Sequence, residues 1–511
     1  MQTVAENGHR NSKMGRVRLK FRWSTLWLLA AAIISAIEIF AASGRSQHAP
    51  DIQSLALDTQ DTTEKCVAEI SVGEMDKDSV LVLGNLGENI DGEVQIVLTA
   101  VASNSVASNL QPIPAPTNGD LLTATRANSN HQSRFDWGES TSVAPNKPLL
   151  FSDVEKDCPD ETRHYFLQTE IRSLSLGEHS LIDCRLAGQT SQVKIFVDQR
   201  LKSDDRLAAL IQAIAVAAES ELAVIVQDLA GPVRDMDLDQ HLAIVITPEI
   251  ARLGNGRTPV EGLTRPADFV PGVDRPLGNN SDVIFLSSSL EPGDHLRAVL
   301  AHEWCHAAVF SRSSGPDTVR GIDEDWLNEA IAHVVEHRAS GSATNLSHRI
   351  RSFLARPHQS PLIVRDYSHP DYWRHDGCRG AGYLFVDWCL NRSGDRLLKQ
   401  LIDGPSVSAE TISATMETPF SDLFREWTVT LGRRLAEASQ EQARDQLPIC
   451  TEWELEATSP QTLALRLGGT CAGYVRIHCP AGTRWQISAA VRGNDEVQST
   501  LIPVRPTSSH R

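Results

Sequence analysis

Basic residues are the minority charge in this chain: 48 Lys and Arg stand against 65 Asp and Glu over 511 residues, for a formal net charge of −17. Nonspecific nucleic-acid binding needs clustered cations to neutralise phosphates, so no nucleic-acid partner is expected and a soluble acidic body is favoured. No internal repeat stands out. The nine cysteines are an odd number, which leaves at least one thiol free in a monomer. With 41% hydrophobic residues the chain is long enough for about three domains of the usual 100 to 200 residues, so a single core is not expected.

The N-terminus is a different material. Lys13, Arg16, Arg18, Lys20 and Arg22 precede an apolar run from Trp23 to Ile37, which is broken by Glu38 and resumed by Ile39-Phe40-Ala41-Ala42. Residues 1–22 therefore read as a basic cytoplasmic tail and 23–43 as an export signal, with the rest of the chain outside the cytoplasm. Small residues around Ala41-Ala42-Ser43 suit cleavage, and the length suits a retained membrane anchor; the anchor is the preferred reading. The expected location is the cell membrane, or the exterior as a secreted protein if the segment is cut.

Residues 44–64 are polar and read as a linker. From 65 to 198 the pattern is strand-like, in runs such as Val80–Leu83, Val94–Leu98 and Val193–Val197, around a Ser-, Asn-, Pro- and Thr-rich insertion at 103–148 that is expected to be disordered. Alternating runs at Leu463–Leu467 and Tyr474–Ile477 suggest a smaller C-terminal β domain over 447–511. Export permits disulfides, with Cys158 and Cys184, or two of Cys450, Cys471 and Cys479, as reasonable pairs. Cys378 and Cys389 lie in one helical stretch, about 16 Å apart at the standard rise, and cannot bridge.

The chemistry is concentrated in His302-Glu303-Trp304-Cys305-His306. Residues four apart share a helix face, so His302 and His306 can hold one metal ion from the same side with Glu303 beside them. Asp294 offers an N-cap, and Leu296, Val299 and Leu300 lead an apolar stripe into Ala307, Ala308 and Val309, which predicts a helix. Catalytic zinc usually takes three protein ligands, and a second predicted helix supplies a third. It starts near Trp326, with apolar residues at 326, 327, 330, 331, 334 and 335, and carries Glu329 beside its stripe. A carboxylate there is costly to bury unless it is paired or binds a cation. Cys305 is a poor ligand candidate, since it points about 60° around the helix from His302.

HEWCH followed by WLNEAIAH resembles the gluzincin clan of zinc metallopeptidases, whose thermolysin-type signature is HExxH and then NExxxD on a second helix. The resemblance implies that His302, His306 and Glu329 bind one Zn2+ and that Glu303 is the general base. Where that signature has Asp, this chain has His333, a second-shell candidate, so the carboxylate that orients a ligand histidine must be sought at Asp323, Glu324 or Glu336. Softer similarity to hyicolysin-like secreted peptidases runs over Asp235–Pro248, Asn279–Leu286, Gly380–Trp388 and Phe420–Trp427, covering roughly residues 195 to 440. In related enzymes a Tyr shortly before a Gly-Ala pair, or a later His, steadies the oxyanion. This chain has Gly377 at that place, leaving His375, Tyr383 and Tyr372 as candidate donors. Tyr383, among Leu384, Phe385, Val386 and Trp388, reads more readily as core than as a catalytic group. No GxMxN-like motif of the aminopeptidase relatives is seen.

The expected fold is multidomain α+β: a gluzincin-like metallopeptidase domain over 199–440, with strands followed by zinc-site helices, flanked by N- and C-terminal β-sandwich-like domains. The expected function is an exported zinc metallopeptidase that cleaves peptide bonds of a peptide or protein substrate by attack of a zinc-bound water activated by Glu303. Two alternatives stand beside it, an inactive binding or adhesion protein on the same fold and a zinc hydrolase acting on a non-peptide bond.

Overall fold

Alternation of apolar side chains builds the first strands. In β3 (Val94–Ala102), Val94, Ile96, Leu98 and Ala100 are buried and their neighbours are half-buried, while β2 (Ser79–Asn85) is buried on both faces and β1 (Val67–Met75) precedes them. The structure is a computed structural model that describes residues 67–87, 93–102, 161–168, 179–254, 260–313, 323–365, 375–404, 406–438, 447–456, 460–493 and 495–504. The tail at 1–22, the signal or anchor at 23–43, the linker at 44–64, the insertion at 103–148, Cys66, Cys158 and Tyr372 lie outside the described residues.

Strands β4 (Thr162–Gln168), β5 (His179–Gln189) and β6 (Val193–Asp198) follow, then helices α1 (Asp205–Ala218) and α2 (Glu221–Ala230). Each helix opens on a side-chain cap, Asp204 accepting from Leu207 N–H and Ser220 from Leu222 N–H. Strands β7 (Leu242–Thr247), β8 (Gly262–Leu263) and β9 (Val283–Ser287) complete a six-stranded sheet in the order β4-β5-β6-β7-β9-β8. Its centre, β6-β7-β9, is parallel and buried, which is why Ile195–Val197 and Leu242–Ile246 read as unbroken apolar runs. Its last strand, β8, is an antiparallel edge.

The helical layer comes next: α3 (Asp294–Ser313), α4 (Asp325–Ser340), α5 (Ser347–Ala355), α6 (Asp376–Ser393), α7 (Asp395–Asp403), α8 (Ala409–Met416) and α9 (Phe420–Glu437). The sequence pattern suggests that α4 is amphipathic. In the structure it is enclosed, with Trp326, Leu327, Asn328, Ala330 through Glu336, and Ala339 all buried, so even its polar positions must be satisfied inside the protein. Among the described residues no single helix is long and apolar enough to cross a membrane.

The chain closes with β10 (Thr451–Glu454), β11 (Gln461–Leu467), β12 (Ala472–His478), β13 (Trp485–Arg492) and β14 (Val497–Pro503). Here the domain boundaries differ from expectation. The terminal segments do not form two β domains over 65–198 and 447–511. They interleave into two four-stranded sheets, β1-β13-β3-β11 and β10-β12-β2-β14, whose inner faces meet over Leu81, Leu83, Ile96, Leu98, Trp453, Val475, Trp485 and Ile487. Strands β4 to β6, grouped by the sequence with the first β domain, belong instead to the sheet beneath the helices. A hydrophobic alternation specifies which face of a strand is buried and says nothing about its partner. The outer face of β2, Val80 and Val82, packs into the helical core, where a Cβ at Gly432 of α9 would lie 2.3 Å from Val82 Cγ2. The architecture is thus multidomain α+β, with one composite sandwich in place of two flanking ones.

Cys184, Cys305, Cys378, Cys389, Cys450, Cys471 and Cys479 are free thiols. The expected pairing among Cys450, Cys471 and Cys479 is therefore not formed. Burial raises all three thiols, to about 12 for Cys450, to about 11 for Cys479, and well above the ordinary value for Cys471, which keeps them protonated and unreactive.

Candidate metal centre

Helix α3 presents His302 and His306 on one face, and α4 runs beside it with Glu329 facing them. The Nε2 atoms of the two histidines are 3.2 Å apart, His302 Nε2 lies 3.4 Å from Glu329 Oε2, and His306 Nε2 lies 3.8 Å from Glu329 Oε1. All three ligand atoms fall within 4.8 Å of one another. Both histidines are 6% exposed. The two imidazole nitrogens are within hydrogen-bond distance of each other, while Glu329 Oε2 is a buried oxygen with no hydrogen-bond partner. A buried polar atom left unsatisfied costs about 1–3 kcal/mol. Convergent nitrogen and oxygen donors with an orphaned oxygen fit a divalent cation, and the His, His, Glu set suits zinc.

The second layer answers the question raised by His333. His302 Nδ1 donates to Glu336 Oε2 at 3.1 Å, so Nε2 is the nitrogen left to bind a metal. Glu336 stands two helical turns beyond Glu329, where a carboxylate returns to the same face. His333 Nδ1 at 2.9 Å and Asn345 Nδ2 at 3.1 Å donate to the same oxygen of Glu336. His333, fully buried, thus touches the orienting carboxylate. The other two candidates are elsewhere: Asp323 Oδ1 accepts from Val407 N–H at 2.8 Å, and Glu324 accepts from the Trp326 indole. These residues immediately precede α4, away from His302.

Burial opposes every charge in this cluster, and pairing decides which survive. Against burial, Glu329 and Glu336 raise His302 to about 9, and a metal cation in that place replaces its proton. Burial and the neighbouring His302 charge lower His306 and His333 to about 3, so both imidazoles are neutral. Against burial, His302 and His333 hold Glu336 down at about 2, and Arg379 and His302 hold Glu329 well below its ordinary value. Both carboxylates are ionised, as metal binding and imidazole orientation require.

Glu303 points the other way around α3, toward the sheet edge. Thr264 Oγ1, just past β8, lies 2.8 Å from Glu303 Oε2 and 3.1 Å from its backbone carbonyl oxygen. A Cβ at Gly262 would stand 2.5 Å from Glu303 Oε1, so the carboxylate occupies space that only glycine leaves open. The general-base candidate is seated against the outer edge of the sheet, near enough to His302 for its charge to act on that imidazole.

Two of the three expected oxyanion donors, His375 and Tyr383, are placed otherwise. His375 caps α6, its Nδ1 accepting from Cys378 N–H. Tyr383 Oη is 2.7 Å from His337 Nδ1, and burial raises its phenol above the usual range. A side chain at Gly377 would run into Ser360 Oγ at 2.3 Å, so that position faces Ser360 rather than the histidines. The residue that sequence reasoning missed is Arg379, 8% exposed, with Nη2 3.0 Å from Glu329 Oε1. Its signal was an arginine inside a buried stretch bordered by Gly380 and Gly382.

Among the described residues two other groups bring metal-type ligands together. His302, His333 and Glu336 form one, and it is accounted for by the hydrogen bonds above. Asp235, Asp237 and Asp239 form the other; Arg163 and Lys194 pair with Asp237 and Asp239 at 2.6 to 3.1 Å, and Asp235 accepts from the Asp239 and Gln240 N–H groups. No protein-family model and no curated protein matches the chain.

Proposed function

We propose that this chain is an exported zinc-dependent peptidase of the gluzincin kind, with His302, His306 and Glu329 holding one zinc ion and Glu303 as general base. The carrying observation is the convergence of the two Nε2 atoms and the Glu329 carboxylate within 4.8 Å, with Glu336 orienting His302. Zinc in such a set supplies a Lewis acid that polarises a carbonyl and lowers the pKa of water beside it. Glu303 accepts the proton of the attacking water and returns it to the leaving nitrogen as the C–N bond breaks.

A peptide substrate is favoured over other carbonyl compounds by the sheet edge. Among the described residues β8 pairs with β9 on one side only, and Gly262 on it lies against the Glu303 carboxylate. An extended peptide adds to such an edge through main-chain hydrogen bonds, which carries its carbonyl groups past the base. The test is cleavage of an unfolded protein such as casein by the zinc-loaded chain, abolished by a chelator and restored by zinc. Ester hydrolysis without any peptide cleavage would redirect the assignment to a non-peptide hydrolase.

A further inference from the structure

We propose that Arg379 is a catalytic residue of this site: its guanidinium donates to the substrate carbonyl oxygen that turns negative as water adds. The inference rests on the peptidase reading above. In that step the water oxygen bonds to the carbonyl carbon, the C=O π pair moves onto oxygen, and the water proton passes to Glu303. The pair returns to re-form the carbonyl as the C–N bond breaks, with the proton going to nitrogen. Arg379 stays protonated throughout and contributes hydrogen bonds and charge.

Position is the first argument. Arg379 Nη2 lies 3.0 Å from Glu329 Oε1, while Glu329 Oε2 faces His302 Nε2 at 3.4 Å. The cation therefore stands one carboxylate away from the metal position. Its seat is built for it: a Cβ at Gly380 would come within 2.2 Å of the Arg349 carbonyl oxygen of α5, and one at Gly382 within 3.3 Å of Ala330 Cβ of α4. These glycines let α6 lie close against both helices, and Arg379 between them and Cys378 reaches the third ligand.

Charge is the second argument. A neutral amide could hold Glu329 in place, whereas a cation repels the metal and draws electron density from its ligand. Burying a guanidinium is costly as well. A positive group retained here works against metal retention, and what it offers in return is stabilisation of negative charge that develops nearby. Guanidinium donors form a rigid planar fork, so an amino group held on Glu329 sets the direction of the others. Of the three groups expected for this task, Tyr383 is committed to His337 and His375 to the α6 cap, and Tyr372 lies outside the described residues.

The experiment compares full-length wild type with Arg379→Gln, which keeps a neutral donor for Glu329, and Arg379→Lys, which keeps charge. Zinc affinity is measured by chelator competition, kcat and KM on an internally quenched peptide at saturating zinc, and binding of a phosphinic peptide and of a cleavage-product peptide by calorimetry. Arg379→Gln is expected to retain zinc, to lose about 10²–10³-fold in kcat with KM little changed, and to lose phosphinic-peptide affinity to a similar extent while product binding holds. Arg379→Lys is expected to recover part of both losses. Turnover in zinc-loaded Arg379→Gln close to wild type, or equal loss of phosphinic and product peptides, overturns the assignment and leaves Arg379 as a clamp for Glu329. A zinc-loaded wild type that neither cleaves nor binds the phosphinic peptide overturns the peptidase reading and this inference with it.

Discussion

The carboxylate of Glu336 shows how much hangs on single residues here. It accepts from His302, His333 and Asn345 through one oxygen, inside a fully buried pocket. Replacing it with Gln makes the acceptor neutral and frees the His302 ring to adopt the other tautomer. Zinc affinity of Glu336→Gln should fall about 10- to 100-fold, read by chelator competition; unchanged affinity would remove Glu336 from the site's support. Glu303→Gln should behave in the opposite way, keeping the metal and losing turnover, while His302→Ala should lose both. At this scale the sequence was informative where residues are spaced along one helix. His302, Glu303, His306 and Glu329 were legible from HExxH and the stripe of α4. Glu336 was one of three candidates, separable only once Asp323 was seen bonded to Val407 N–H and Glu324 to the Trp326 indole. Arg379 was illegible, since it reaches Glu329 from a third helix across the fold.

At the scale of elements, the two-residue strand β8 is the piece that periodicity misses, being too short to alternate. It nonetheless seats the base. Gly262→Val should displace the Glu303 carboxylate and cut kcat by at least about 10²-fold at normal zinc content, in line with the cost of mispositioning a reacting group; normal turnover would show that the seat is not needed. The start of β9 offers a pH test. Burial, helped by Asp237 and Asp235, raises Asp282 to about 7. Because the folded pKa exceeds the unfolded value of about 3.9, the native state binds more protons between these limits. The stability due to Asp282 is therefore complete below about pH 4 and is lost as pH rises through about 7. Asp282→Asn keeps an acceptor for Met236 N–H, which is now 3.0 Å from Oδ1. It should flatten this slope and stabilise the protein at pH 8 by about 1–3 kcal/mol in chemical denaturation.

At the scale of the whole molecule, the last strands return to the first described ones. β13 lies between β1 and β3, and β2 lies between β12 and β14, so the first and last segments are one folding unit. The sequence showed strands at both ends and not their partnership, because cross-strand register between residues more than 400 positions apart, such as Val67 and Arg492, leaves no local trace. A chain ending at residue 446 should expose the inner face of β2 and β3, express as aggregate and be degraded by limited proteolysis. A soluble, protease-resistant 67–446 fragment would mean that the sandwich halves stand alone. The α/β centre was more legible, because parallel strands and enclosed helices advertise themselves as long apolar runs.

The central claim is a three-ligand zinc site that hydrolyses peptide bonds. Its most direct measurement is zinc content per chain in wild type and Glu329→Ala, with casein cleavage before and after chelation. One zinc per wild-type chain, lost in the variant together with chelator-sensitive cleavage, is the predicted result; a properly folded wild type that binds no zinc would contradict the claim.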